Sequence, residues 1–480
     1  MSATTTLKYD AVTNELVAIT TYPDGSCKNV IVNTKGEDGE DGEDGIDGDH
    51  GTNGVNGVNG VNGVNGKDGD DGIDGENGLQ GPSSISQITS VKNPDGSYTY
   101  THNNGAGNTI DWVTGGQGEP TFKLLPFTNF GTIIKWRGLG LAADGKLRAA
   151  PYDLNPGYML EIDPVTDTVD VTLSTDSIHT GSKKWLDSQL APNGKTYHAA
   201  DRAFTYLTVD TSSAPADPIL TETGVSTFAQ QTRGIALGTD GLLYVSTFTG
   251  AKVFGRLDPS TDTQLSSVPI VIDTSGPLYT SNPTLANSSN HFLEWGITAA
   301  PNGKMFSTPW GGDRVSIYQI GDVDGYQGQT VLDGGLPVPT STSSPYFSKY
   351  NGRGVYVDDV RSIFCFPRAA NTILKTNIDN DISVEIPLPI ELQLHASTLQ
   401  KSMSAVRGPD GLIYSTPWSL PYIFWINPLT DEIGFINIQH IMDQADDGNG
   451  GTGYWSYGCV YGDSIYYASA GATAILKFTP

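Results

Sequence analysis

Glycine stands at every third position from Gly36 to Gly81 without a break, sixteen triplets in all. A strict period of three leaves few structures open. Three polyproline-type chains can wind together only if the crowded axis is left to residues without side chains. A flexible glycine-rich linker needs no such period. Residues 36–83 are therefore expected to form a collagen-like triple helix, roughly 150 Å long at about 3.1 Å per residue. The chain is expected to be a homotrimer through it. Pro82 is the only proline of this run and Lys67 its only base, among many Asp and Glu. Aligned copies repel one another. The flanking segments are expected to clamp the trimer, and divalent cations can screen the acidic stalk. No other cofactor is implied.

Two short β modules flank the run. In residues 1–35, Val17, Ile19 and Thr21 alternate, Pro23-Asp24-Gly25 turns, and Val30–Val32 returns. In residues 84–118, Asn93-Pro94-Asp95-Gly96 turns into Tyr98 and Tyr100, and Asn104-Gly105 turns again toward Ile110 and Trp112. A lone hairpin is marginal in water, so three copies around an axis are the expected stable form. Hairpin modules joined to Gly-X-Y runs resemble the tail and head fibres of bacteriophages. That resemblance implies attachment of residues 1–35 to another virion protein.

Residues 119–480 change character, with repeats of roughly 50 residues. Each holds an apolar strand, an Asp-Gly or Asn-Gly turn, a second strand, a third ending in Asp-Pro or its like, and an outer strand. The turns fall at Asp144-Gly145, Asn193-Gly194, Asp240-Gly241, Asn302-Gly303, near Asp359, at Asp410-Gly411 and at Gly462-Asp463. Seven such repeats predict an all-β fold, a seven-bladed propeller, whose radial repetition protects sheet edges. The last repeat stops after its third strand, and Thr121–Leu125 has the look of an orphan fourth. Residues 121–126 are expected to pair with 474–479 and close the ring. The copy Asp240–Asp262 resembles repeats of the streptogramin-lyase-like propellers. The resemblance implies a fold and no activity.

In such a ring, loops after the second strands share one face with the lead-ins to the first strands. The second-strand loops bring Asp153, Asp201, Phe248, Trp310, Arg368 and Trp418 there. The lead-ins bring Lys135, Trp136, Lys184, Trp185, Arg233, Glu294, Trp295, Arg353, Lys401 and Trp455. Aromatic faces stack on sugar rings, and arginine and acidic groups bond hydroxyls or anionic sugars. A host surface glycan or receptor is the expected partner. Trp310 and Trp418, both in Ser-Thr-Pro-Trp, are expected at the surface rather than in the core.

Seven histidines form no HExxH and no nucleophile motif. His198 and His291 lie closest to the binding face, and Asp153, Asp201 and Glu294 are the carboxylates that can gather at a central metal. The expectation is a non-enzymatic virion fibre. A stalk-displayed lyase or glycan depolymerase and a bacterial surface or spore-coat protein are the alternatives. The net charge of −26 argues against nucleic-acid binding. Cys27, Cys365 and Cys459 make no disulfide framework. The opening residues lack an export-signal pattern, and no apolar run is long enough for membrane insertion. A virion protein, released by lysis, needs neither.

Overall fold

The computed structural model describes six strands within residues 1–118 and most of residues 120–480. It leaves aside 33–86, the turns between the first six strands, and 128–133, 202, 204, 213–217, 226–231, 248–252, 270–293, 311, 322–325, 328–329, 333–348, 394–399 and 447–452. The Gly-X-Y run, Phe248 and His291 thus lie outside the described residues, as does the side chain of Glu294. The chain divides into two units, 1–118 and 119–480.

The first unit holds two three-stranded antiparallel sheets. Thr4–Asp10, Glu15–Thr21 and Cys27–Val32 make one, and Gln87–Lys92, Tyr98–Asn103 and Thr109–Thr114 the other.

The second unit is the expected all-β ring of seven four-stranded blades. Their inner strands begin at Trp136, Trp185, Thr232, Glu294, Val355, Ser402 and Trp455. Strands sandwiched between neighbouring blades have no solvent face, so burial runs along them without alternating. Leu147–Pro151, Leu243–Thr247 and Ile413–Pro417 are buried at every residue. The outer strand Thr168–Asp170 alternates instead.

Inner strands approach to backbone distance around the axis. A Cβ on Gly138 would lie 2.6 Å from Asp187 Cα, and one on Gly234 2.7 Å from the Ile297 nitrogen. Glycine is needed there because no side chain fits.

Thr121–Pro126 is the outer strand of the seventh blade. It runs antiparallel to Ala474–Thr479, from Thr121 opposite Thr479 to Pro126 opposite Ala474. Phe122 stacks on Phe478 at 5.2 Å, and Leu125 is buried in the core.

A second device fastens the blades, on the face of the Asp-Gly turns. Asp167, Asp262, Asp381 and Asp431 end equivalent third-to-fourth-strand turns, each with a positive φ of 54–61°. Each accepts from a lysine of the preceding blade: Lys477, Lys195, Lys304 and Lys375 respectively. Asp167 also accepts from Lys123 of the closing strand at 2.8 Å and from the Tyr466 hydroxyl at 2.8 Å. Burial works against its charge, but hydrogen bonds from Lys123, Lys477 and Tyr466 outweigh it and hold the carboxyl down at about 2, below its ordinary 3.8.

This fixes a pH dependence. A carboxylate with a depressed folded-state pKa stabilises the fold fully above its unfolded value and loses that contribution as pH falls through the folded one. Between pH 5 and 2 the protein is expected to lose about 1–2 kcal/mol through Asp167 alone. Denaturant midpoints across that range should fall less steeply in Asp167→Asn than in the wild type. Equal slopes would remove Asp167 from the closure.

Candidate functional site

The strand register identifies which residues of each blade reach the axis on the opposite face. Trp136 pairs Pro151, Trp185 pairs Ala200, Thr232 pairs Thr247, Glu294 pairs Pro309, Tyr350 pairs Pro367, Ser402 pairs Pro417 and Trp455 pairs Ser469. The residues one step beyond each pair fall into two sets by sequence position, of which Phe248 lies outside the described residues. Arg137, Leu186, Arg233, Trp295, Asn351, Met403 and Ser456 follow the first partner. Tyr152, Asp201, Phe248, Trp310, Arg368, Trp418 and Ala470 follow the second.

Arginines and aromatic rings interleave within these sets. The Arg137 guanidinium lies 4.1 Å from the Tyr152 ring and 5.6 Å from the Trp418 ring. Arg233 lies 4.5 Å from Trp295. Arg368 lies 5.7 Å from Trp295 and 5.8 Å from Trp310, whose own rings are 5.8 Å apart. Asp201 is fully buried and accepts from the Tyr152 hydroxyl at 2.9 Å and from Arg233 at 3.0 Å. Half-buried Asp153 stands beside them and accepts the Lys183 N–H at 3.2 Å. Burial raises its pKa, against the pull of Arg137. Deeper on the axis, Arg353 of the fifth blade donates to Gln189 of the second at 3.0 Å.

Asp201, Arg233, Trp310 and Arg368 of the sequence-predicted set therefore come together, with Asp153 adjacent and Arg353 below. Trp418 requires correction. It is 2% exposed, in the core. Arg137 covers it, and the Gly453 backbone lies against its indole so closely that a Cβ there would overlap the ring. Trp136, Trp185 and Trp455 are also corrected from ligand contacts to framework. Each is fully buried, and its indole N–H donates to a carbonyl at or just before its own blade's third strand: Tyr158, Thr205 and Ala474.

The lead-in lysines face inward too. Lys135 reaches the carbonyls of Gly471 and Ala472 at 3.3 Å, Lys184 that of Leu154 at 2.9 Å, and Lys401 that of Ala369 at 3.2 Å. Each amine thus grips the second-strand loop of the preceding blade. Burial brings Lys401 down to about 8.

Arg137 and Tyr152 are absent from the sequence-predicted set. Tyr152 follows Pro151 as Trp310 follows Pro309, which is the available signal. His198 is fully buried in the second strand of the second blade, and burial, helped by Arg148, pushes its pKa down to about 3. Among the described residues no three His, Cys, Asp or Glu side chains gather as a metal site. No described helix is long and apolar enough to cross a membrane.

Comparison with known proteins agrees with this architecture. Residues 33–86 match the collagen triple helix repeat family. A search of curated proteins finds no match. Among solved structures, the chain is similar to a catalytically inactive histidine-to-alanine variant of virginiamycin B lyase from Staphylococcus aureus with quinupristin. The identity is 14% and the TM-score 0.55, covering 75% of this chain and all of that one. It is similar also to a streptogramin B lyase, at 13% identity and TM-score 0.53, covering 75% of this chain and 97% of the other. At such identity the likeness extends to the propeller fold alone.

Proposed function

We propose that this chain is an adhesin, in which a trimeric collagen-like stalk carries a propeller head that recognises a host-surface glycan through its axial face. The observation that carries this reading is the ring of arginine and aromatic side chains contributed by separate blades. Among its described aromatic members, half-buried Trp310 is the accessible one. Planar rings offer apolar faces to sugars, while guanidinium and carboxylate groups supply orientation. The collagen-repeat match supports a role in display and trimer formation. Within this reading the particle is a phage virion, residues 1–35 attach to another virion protein, and the head binds without chemistry.

Glycan-array and host-cell binding by the full-length protein tests the proposal. Wild type is expected to bind, and a folded Trp310→Ala to bind about five- to thirtyfold more weakly, since stacking contacts of this kind contribute about 1–2 kcal/mol. Absence of all binding would remove the adhesin reading. Breakdown of a bound glycan would favour the depolymerase instead.

A further inference from the structure

We infer that the axial ring is an anion site built for the carboxylate of an acidic saccharide. This deepens the adhesin reading and rests on it. The primary observation is Arg137. Its side chain is more than nine-tenths buried, yet among the described residues it forms no ion pair with a carboxylate and its buried Nε has no hydrogen-bond partner. Its neighbours are the faces of Tyr152 and Trp418. A buried charge is costly unless something pairs it. Arg368 repeats the pattern, lying over Trp295 and Trp310 without a carboxylate partner among the described residues. Burial, then the nearby charges of Arg137 and Arg233, bring Arg368 down to about 9. The buried indole N–H of Trp418 also lacks an acceptor among the described residues.

The acid already present cannot satisfy these groups. Asp201 gives its Oδ2 to Arg233 and Tyr152, and although its buried Oδ1 accepts no hydrogen bond, it makes no ion pair with Arg137 or Arg368 among the described residues. Arg137, Arg233 and Arg368 outnumber Asp201 and Asp153, the described carboxylates of the ring, which favours an anionic ligand. Guanidinium groups bond a planar carboxylate in paired fashion, and an indole N–H beside them adds a third donor. The aromatic rings that hold the arginines also offer a face to the rest of the sugar.

The test is calorimetric titration of the full-length protein with a glucuronate-containing oligosaccharide and with its carboxyl-reduced counterpart. The acidic form is expected to bind at least tenfold more tightly. Arg137→Gln and Arg368→Gln should each erase that preference. Arg368 is the half-buried one, so its variant keeps the test open if Arg137→Gln fails to fold; melting midpoints report which has happened. Equal affinity for both oligosaccharides would overturn the anion site while leaving the adhesin reading standing. So would acidic preference unchanged in a folded Arg368→Gln. Displacement of the saccharide by inorganic phosphate at lower concentration than by acetate would overturn the carboxylate assignment. Failure to bind any glycan or cell surface would overturn both readings.

Discussion

Deleting Thr121–Pro126 is expected to abolish the cooperative folding of the propeller. This segment joins the beginning of the second unit to its end. It supplies the whole outer ladder of the seventh blade, six residue pairs from Thr121–Thr479 to Pro126–Ala474. Its removal uncovers Phe478 and Ile475 on an unpaired edge, an aggregation hazard. Leu125 is buried, and Phe122 and Leu124 pack against the core beside it. Losing these three side chains from partly or fully buried positions costs about 3–6 kcal/mol at about 1.5–3 kcal/mol for each full burial. Loss of the Lys123–Asp167 ion pair adds to this. The sum is comparable to the total stability of an ordinary domain. Denaturation of the full-length deletion variant, followed by intrinsic fluorescence, should give an early, broad transition. A sharp transition at the wild-type midpoint would mean that the ring does not depend on this closure.

Trp418→Ala is expected to destabilise the head by about 3–5 kcal/mol, as large-to-small substitutions of buried tryptophan do. The indole is packed between Gly453 and the core, and it underlies Arg137. Truncation opens a cavity and also removes one of the two rings next to a buried guanidinium. Trp310→Ala should cost much less, because that side chain is only partly buried and already meets solvent. The measurement is the denaturant midpoint of each variant. Similar midpoints for the two would contradict the different burial of these residues.

The two tryptophans mark where sequence reading runs out. Both stand in Ser-Thr-Pro-Trp, so their local signals are identical. Their difference arises from the next blade, where the Gly453 backbone closes over Trp418, and no local pattern carries that. The ring itself is legible because six blades carry a turn glycine after or near the end of the inner strand, at 145, 194, 241, 303, 411 and 462, while Arg361 takes the left-handed place in the fifth. The axial ring is only partly legible. Reading Asp153 in place of Tyr152 is a slip of one residue in the loop just past Pro151, where the Tyr152 hydroxyl meets Asp201 while Asp153 accepts from the Lys183 N–H. Lysines at 135, 184 and 401 read as surface charges because an exposed amine is the usual case. Their carbonyl partners come from the preceding blade and become neighbours only in the folded ring.

The central claim is that recognition occurs at the axial face of the head. Amide hydrogen exchange of the full-length protein, with and without a saccharide that it binds, tests this most directly. New protection is expected in the loops after the second strands, at Tyr152–Asp153, Trp310, Arg368 and Trp418, and none at the Asp-Gly turns. Protection confined to the Asp-Gly turns or to the outer strands would contradict it.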